Sequence, residues 1–293
     1  MQCKVLAAAI GAGLWLAYAG AAAAQTVAQP QGPEDRAQGR QLWLLAIPGE
    51  RVRMHAYVFR PPGPGPFRLA VINHGSIQSR DVRLKYPMPD YPVATRWFLE
   101  RGFAVVVPQR PGHGVTAGPY FEDQGMCVDP DYRQSGLRTA DSIQAAIDDM
   151  RVQPFAQSSG VIVVGQSAGG WGAIALASRN LPSVAAVVDF SGGRGGRSDN
   201  KPNNVCVPDR LVTTAADFGR TARTPTLWIY AQNDTYFGPK LSKRMADAFR
   251  ATGGSIEYQL LPPSGTEGHF LINSPHAAAL WSPILTKFLA TTE

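Results

Sequence analysis

Cysteine and charge are both sparse in this sequence. Three of its 293 residues are cysteine and 17% are charged. No cysteine has a second cysteine or a histidine at the spacing of a zinc site, and no dinucleotide-binding fingerprint is present. The charges form no long run, and no nucleic-acid-binding motif accompanies the net charge of +6. We therefore predict no metal site, no required cofactor and no nucleic-acid partner.

Internal repeats are also missing, and the composition is not that of a coiled coil, a collagen or a disordered chain. Hydrophobic residues make up 44% of the sequence, an ordinary proportion for a globular protein. The length allows one large domain or two small ones, with enough apolar material for a core.

The first residues have the pattern of an export signal. Lys4 supplies a positive charge, Val5 to Gly20 is uncharged and mostly apolar, and alanines end the segment at Ala24. An uncleaved anchor is the alternative, since about 20 residues can span a bilayer. The composition, rich in alanine and glycine, favours cleavage. We predict a signal peptide over residues 1–24, a flexible lead-in over 25–40, and a periplasmic or secreted protein without stable membrane association after cleavage.

Two cysteines remain in the mature chain, because Cys3 leaves with the signal. Export favours a disulfide between Cys127 and Cys206. Two buried free thiols are the alternative.

Apolar runs and helical periods alternate along the rest of the chain, which predicts one α/β domain over residues 41–293. Strands are predicted at 41–47, 52–59, 69–73, 103–107, 161–164, 184–188, 226–230 and 256–260. Helices are predicted at 91–100, 137–150, 168–178, 239–251 and 277–290. This order indicates a mostly parallel sheet with helices on both faces, and the tight turn at Pro48-Gly49-Glu50 gives it an antiparallel edge.

One strand ends in Gly165-Gln166-Ser167-Ala168-Gly169, and a helix follows. The G-x-S-x-G pattern in this context presents a serine on a sharp turn, where glycines avoid collisions across the turn. The helix that follows directs its N-terminal N–H groups toward developing negative charge. A plain strand-to-helix turn is the alternative to a nucleophile at Ser167.

With this motif and element order, the chain resembles the α/β-hydrolase family over Gln41 to Leu289. It is most similar to exported members of the dienelactone-hydrolase-like, esterase and serine-peptidase branches. The resemblance implies a nucleophilic serine, then an acid, then a histidine, each on a loop after a later strand.

The resemblance places the base at His269, between the last strand and the last helix, whereas His55, His74, His113 and His276 lie elsewhere. It places the acid at Asp234, after the strand that ends at Tyr230. Asp189, which ends the preceding strand, is the rival acid, because some hydrolases use that position.

Two backbone N–H groups are expected to bind the oxyanion. One is that of Ala168. The resemblance places the other in the loop that begins at His74, where Ser76 is the first choice and Ile77 the alternative. His74 is expected to brace this loop and is a candidate substrate contact.

Residues 191–224 are read as an irregular, cap-like insertion, because a loop of this length in a compact domain is usually functional or mobile. Its arginines, Arg194 and Arg197 among them, are either solvated or receive a substrate carboxylate. Trp171 belongs either to the core, which is favoured, or to the acyl pocket. A bond between Cys127 and Cys206 would clamp the insertion to the loop beyond the fourth strand.

The sequence therefore predicts an exported serine hydrolase that cleaves carboxylic esters through an acyl-enzyme, with a small ester or a short peptide as substrate. A serine peptidase with the same triad is the first alternative. The second is a non-catalytic binding protein on a hydrolase scaffold, which would require a broken triad.

Overall fold

The computed structural model describes residues 28–35 and 39–292, and within these ranges nine strands form one sheet. The strands are β1 (Gln29–Pro30), β2 (Arg40–Leu45), β3 (Met54–Phe59), β4 (Leu69–Asn73), β5 (Ala104–Pro108), β6 (Val161–Gln166), β7 (Val184–Phe190), β8 (Thr226–Ala231) and β9 (Ile256–Leu261). Their order across the sheet is β1-β2-β3-β5-β4-β6-β7-β8-β9.

The sheet is antiparallel from β1 to β5 and parallel from β5 to β9. This arrangement confirms the predicted α/β class and its antiparallel edge. The parallel strands are continuous apolar runs because helices cover both of their faces.

Seven α-helices lie in the described ranges: α1 (Arg80–Arg83), α2 (Pro92–Leu99), α3 (Tyr132–Met150), α4 (Ala168–Ala177), α5 (Pro208–Gly219), α6 (Pro239–Ala251) and α7 (Pro275–Leu289). Successive strand residues face opposite sides, so Val71 joins one apolar cluster and Ile72 the other. The cluster of Val71 contains the buried faces of α3 to α6. The cluster of Ile72 contains those of α2 and α7.

Contrary to the prediction from the sequence, the segment 191–224 is not irregular throughout. Its second half is helix α5, which buries Leu211, Ala215 and Phe218 in the apolar cluster that contains Val71. These three residues recur at helical spacing, and Pro208 occupies the first turn, where its missing N–H has no cost. Residues 191–207, with short 3-10 structure, and residues 220–224 remain outside the helix.

Part of the predicted flexible lead-in is paired with the sheet. Gln29 and Pro30 lie opposite Leu44 and Trp43 on strand β2, and Ala28 is buried in the core. The proposed signal peptide at residues 1–24 lies outside the described residues. Among the residues that are described, no helix has both the length and the apolar character needed to cross a membrane.

A disulfide joins Cys127 and Cys206, as the cysteine count predicted, with their Cα atoms 4.9 Å apart. Cys206 lies two residues before the start of α5, so the bond ties loop 191–207 to the loop before α3. The bond spans 79 residues of sequence. Closing a loop of that size restricts the unfolded chain and contributes about 4 kcal/mol in the chain-entropy model.

Candidate active site

The loops that follow five parallel strands meet at one edge of the sheet. In sheets of this type, ligands bind outside the carboxyl ends of the strands. After β4, β6, β7, β8 and β9, these loops begin at His74, Ser167, Ser191, Gln232 and Pro262. Residues distant in sequence therefore share this edge, including every catalytic residue predicted above.

Ser167 occupies a left-handed backbone conformation, with φ 55° and ψ −120°. Such a conformation is strained for a residue with a side chain and is typical of a functional turn. A Cβ atom at Gly165 would collide with the backbone of Gly169, and one at Gly169 would collide with the backbone of Asn73. Both glycines of the motif are therefore required by close packing around Ser167.

Helix α4 starts directly after Ser167, so the N–H of Ala168 lies in the first turn and has no partner within the helix. The carbonyl oxygen of Ser167 accepts the N–H of Trp171 at 2.9 Å and that of Gly193 at 3.2 Å. The serine is thus held by the helix on one side and by loop 191–207 on the other.

His269 and Asp234 form a buried pair, with 3.2 Å between Nδ1 of the imidazole and Oδ2 of the carboxylate. The other oxygen, Oδ1, accepts the N–H groups of Tyr236 at 2.7 Å and Phe237 at 3.0 Å. Burial alone would raise the pKa of Asp234, but His269 and these N–H groups outweigh it and hold the pKa below its usual value. Asp234 is therefore a carboxylate at neutral pH.

The pKa of Asp189, the rival acid, is shifted in the opposite direction from that of Asp234. Burial raises its pKa well above the usual range, despite hydrogen bonds from Tyr230 and Gly192, and the charge of Asp234 adds to the effect. Oδ2 accepts the Tyr230 hydroxyl at 3.1 Å, whereas Oδ1 has no hydrogen-bond partner among the described residues. Burial disfavours the charged form of Asp189, and an imidazolium ion is stabilised by a carboxylate, so the two environments favour Asp234 as the acid.

The loop that carries His269, here called the base loop, is hydrogen-bonded to Gln166, the residue before Ser167. Nε2 of Gln166 donates to the carbonyl oxygen of His269 at 3.1 Å. Within the described part of the chain, no hydrogen bond joins the Ser167 hydroxyl to His269; in sites without a bound substrate, such contacts are often long. The Tyr236 ring is stacked on the imidazole, with 4.0 Å between ring centroids.

Glu267 bridges the acid loop and the base loop. Its Oε1 accepts the N–H of His269 at 3.0 Å and that of Thr235 at 3.1 Å. Its Oε2 accepts the Thr235 hydroxyl and lies 3.5 Å from Arg197 Nη1. One carboxylate therefore fixes the backbone beside both members of the Asp234–His269 pair.

The loop after β4 passes directly beside the serine. A Cβ atom at Gly75 would lie 2.6 Å from Oε1 of Gln166 and 3.2 Å from Cβ of Ser167. His74 is buried, and burial lowers its pKa well below the usual value, so the ring is neutral at pH 7. Its Nε2 accepts the Arg110 N–H at 3.0 Å, which leaves Nδ1–H to donate to the Gly75 carbonyl at 2.5 Å. His74 therefore braces this loop from within.

A family model described as the dienelactone hydrolase family matches residues 89–266, more than half of the chain. The chain belongs to the dienelactone hydrolase family. This membership confirms the resemblance and makes the protein a hydrolytic enzyme.

Solved structures of similar fold include esterases and a peptidase. A Pyrococcus furiosus esterase aligns over 86% of this chain and 92% of its own, with TM-score 0.60 and 13% identity. An acetyl xylan esterase from Paenibacillus sp. R4 aligns over 91% and 89%, with TM-score 0.62 and 15% identity. A Mycobacterium tuberculosis puromycin-hydrolyzing peptidase aligns over 87% and 40%, with TM-score 0.59 and 17% identity. At these identities the likeness shows the fold alone. Comparison with curated proteins gave no match.

In this dienelactone hydrolase family member, a directional chain of hydrogen bonds holds Ser76. Burial lowers the pKa of His113 to about 4, so its ring is neutral at pH 7. Its Nδ1 lies 3.1 Å from the Arg110 and Pro111 carbonyl oxygens and must donate, so Nε2 accepts the Ser76 hydroxyl at 2.8 Å. Ser76 Oγ then accepts the Tyr120 hydroxyl at 2.9 Å.

The Tyr120 oxygen in turn accepts Nη1 of Arg194, also at 2.9 Å. The chain thus runs from a guanidinium group to a neutral imidazole.

A buried cluster of charges anchors this chain. Glu122 accepts Nε of Arg110 at 2.5 Å and lies 3.0 Å from Nη2 of Arg194. Burial alone would raise the pKa of Glu122, but the two arginines outweigh it and hold the pKa well below its usual range. A buried ion cluster of this kind is destabilised when one partner is removed, because the remaining charges lose their compensation.

Burial argues against a substrate contact for several candidate residues. Trp171 is fully buried, donates to the Tyr132 carbonyl at 2.8 Å and packs on Phe218, so it belongs to the core and not to an acyl pocket. His74 and Arg194 are enclosed in the networks described above and offer no group to a substrate.

Arg197 is partly exposed but is paired with Glu267, and Ile77 is exposed at the rim. Sequence reasoning missed Glu267, Tyr236 and Gln166. Each lies within two residues of Asp234, His269 or Ser167 in the sequence, which could have marked it as a candidate, but its contacts depend on the folded loops.

Removal of the Tyr120 hydroxyl tests the directional chain. In Tyr120→Phe, the Ser76 hydroxyl and Nη1 of Arg194 lose a partner, and we expect the free energy of unfolding to fall by about 1–3 kcal/mol. Urea unfolding measures the change. The matched control is Tyr57→Phe, because the Tyr57 hydroxyl forms no hydrogen bond to another described residue while its ring keeps its contact with Arg40. Equal stability of the two variants would contradict the hydrogen bonds assigned to the Tyr120 hydroxyl.

Proposed function

We propose that this protein is an exported serine hydrolase that cleaves carboxylic esters through an acyl-enzyme. The observation that carries the proposal is the strained turn at Ser167 beside a buried Asp234–His269 pair, whose loop is bound to Gln166. A serine hydroxyl is a poor nucleophile at neutral pH and requires such a base.

In the proposed mechanism, Ser167 Oγ attacks the ester carbonyl carbon as its proton passes to Nε2 of His269. Asp234 accepts Nδ1–H, which holds the tautomer and stabilises the imidazolium ion. The N–H groups of Ala168 and Ser76 bind the oxyanion. The tetrahedral intermediate collapses, the C–O bond to the alcohol breaks, and His269 returns the proton to the leaving oxygen. Water then attacks the acyl-enzyme by the same steps and releases the acid.

The contacts of the arginines near the site are the reason to propose ester cleavage and not peptide cleavage. A peptidase could use arginines of segment 191–224 to bind a peptide carboxylate, but the guanidinium groups of Arg194 and Arg197 contact Glu122 and Glu267. A non-catalytic role would require a broken triad, whereas the side-chain types needed for catalysis are all present. Export is supported by the N-terminal pattern and by the disulfide between Cys127 and Cys206.

A fluorophosphonate probe tests the proposal directly, because it reacts with activated serine nucleophiles. We expect stoichiometric labelling, with peptide mapping placing the adduct on Ser167, together with hydrolysis of p-nitrophenyl esters. Aminoacyl anilides serve as the amide comparison. The absence of labelling at Ser167 would refute the serine mechanism, and labelling with activity on anilides alone would establish the peptidase instead.

A further inference from the structure

An open cavity of about 440 Å³ lies beside the candidate triad. Gln166, on its floor, directly precedes Ser167, and Phe270, on its wall, directly follows His269. We call this cavity the aromatic groove. It is lined by Tyr86, Pro87, Met88, Pro89, Asp90, Tyr91, Gln166, Phe270, Ile272 and Asn273.

One wall of the aromatic groove is fixed to the loop that bears Ser76. The Tyr86 ring packs on His74, with 5.3 Å between ring centroids, and the Tyr91 hydroxyl donates to Gln166 Oε1 at 3.4 Å. Another part of the lining belongs to the base loop, since Phe270 contacts the His269 ring edge-on at 5.3 Å. The groove therefore runs between the proposed oxyanion loop and the proposed base.

The place of the groove beside His269 indicates which part of an ester would lie in it. The oxygen of the leaving alcohol must come within hydrogen-bond distance of Nε2 of His269 to receive its proton. The alcohol portion of the substrate therefore lies on the side of His269, where Phe270 forms the wall. The carbonyl oxygen lies on the side of the Ala168 and Ser76 N–H groups.

The lining determines which alcohol fits. Three aromatic rings and two prolines provide rigid apolar surface, and Phe270 is 54% exposed and can contact a ligand. Asp90 is the charged residue of the lining, and no basic side chain is among the lining residues of this described cavity. Asp90 lies 4.0 Å from Arg40, so it adds little attraction for a cation. The groove suits a neutral aromatic group, which stacks on such rings.

We propose that the aromatic groove binds the alcohol portion of the substrate and selects esters of neutral aromatic alcohols. This inference rests on the proposed esterase function and adds the class of leaving group. Met88 is a partly exposed lining residue outside the triad and the oxyanion loop, so its size can be changed to alter the groove.

The test compares acetate esters of alcohols of similar acidity: ethyl, benzyl and 2-naphthylmethyl acetate. For the wild type we expect kcat/KM for 2-naphthylmethyl acetate to exceed that for ethyl acetate by about tenfold or more, in line with burial of one aromatic ring system. An ester of the anionic 4-carboxybenzyl alcohol is expected to be hydrolysed less efficiently than benzyl acetate, because the groove has no cation for it.

Met88→Trp fills the groove and is expected to abolish the preference for the naphthyl ester over ethyl acetate. Met88→Ala widens the groove and is expected to retain the preference, which covers the case in which the tryptophan variant does not fold. Met126→Trp is the matched control, because Met126 is an exposed methionine outside the lining. A second series consists of ethyl esters of acids of increasing size. We expect kcat/KM to depend on the size of the acid in the same way in the wild type and in all variants.

The outcomes separate this inference from the function on which it rests. If Ser167 is labelled and acetates are cleaved with no dependence on the alcohol, the groove assignment is wrong and the esterase proposal stands. If Met88→Trp alters the acyl series and not the alcohol series, the groove binds the other half of the ester and the assignment is again overturned. If no ester is hydrolysed and Ser167 is not labelled, both proposals fail.

Discussion

Ser167→Ala is expected to lower kcat for ester hydrolysis by at least about 10,000-fold, because no acyl-enzyme can form without the nucleophile. The change corresponds to a loss of about 5 kcal/mol of transition-state stabilisation. Residual turnover would come from direct attack by water beside the N–H groups of Ala168 and Ser76. Initial rates with p-nitrophenyl acetate measure the effect, and thermal unfolding verifies that the variant is folded.

The matched control for this substitution is Ser178→Ala. Ser178 caps the C-terminal end of α4, opposite the end that begins at Ser167, and its hydroxyl donates to the Ala175 carbonyl at 2.7 Å. We expect its kcat to stay within about twofold of the wild type. Comparable activity of Ser167→Ala and the wild type would show that the nucleophile is elsewhere.

Asp234→Asn is expected to lower kcat by about 1,000- to 10,000-fold while leaving the fold intact. An asparagine can still accept the Tyr236 and Phe237 N–H groups through its oxygen. Its NH₂ group would then face Nδ1 of His269 and donate to it. The neutral imidazole would carry its proton on Nε2, which is the wrong tautomer to accept the proton of Ser167.

Asp189→Asn supplies the contrast, because burial raises the pKa of Asp189 and so favours its neutral form, and an amide is a neutral group of the same size. We expect kcat to change by less than about fivefold. Steady-state kinetics on both variants, with circular dichroism as a check of folding, decides between the two acids. A larger loss in Asp189→Asn than in Asp234→Asn would assign the acid to Asp189.

The elements of the fold were largely predictable, because strand and helix patterns are local. Strand β6 and helix α4 follow from an apolar run, two glycines and a small-residue segment. Helix α5 was missed although Leu211, Ala215 and Phe218 have helical spacing, since the glycines, arginines and asparagines before it suggested one long loop. The strand at Gln29 was missed because its pairing with β2 depends on a partner and not on its own two residues.

The candidate site was predictable as a set of residues and not as a set of contacts. The order of Ser167, Asp234 and His269 along the chain matched the family pattern, and the structure places Asp234 against His269. The role of Arg194 was not predictable, because an arginine in a glycine-rich loop can be solvated, bind substrate or be buried. Its contact with Glu122 joins residues far apart in sequence.

By itself, the sequence determined the α/β class, the family, the turn at Ser167 and the pair of cysteines, because each depends on residue types at short spacing or on counting. The tertiary structure alone decided that the pKa values of Asp189 and Asp234 shift in opposite directions, that Glu267 joins the acid and base loops, that Arg194 supports the loop of Ser76, and that an aromatic groove borders the site. The physical reason is that pKa values, buried hydrogen bonds and cavities depend on which distant residues surround a group. Only the folded chain specifies those neighbours.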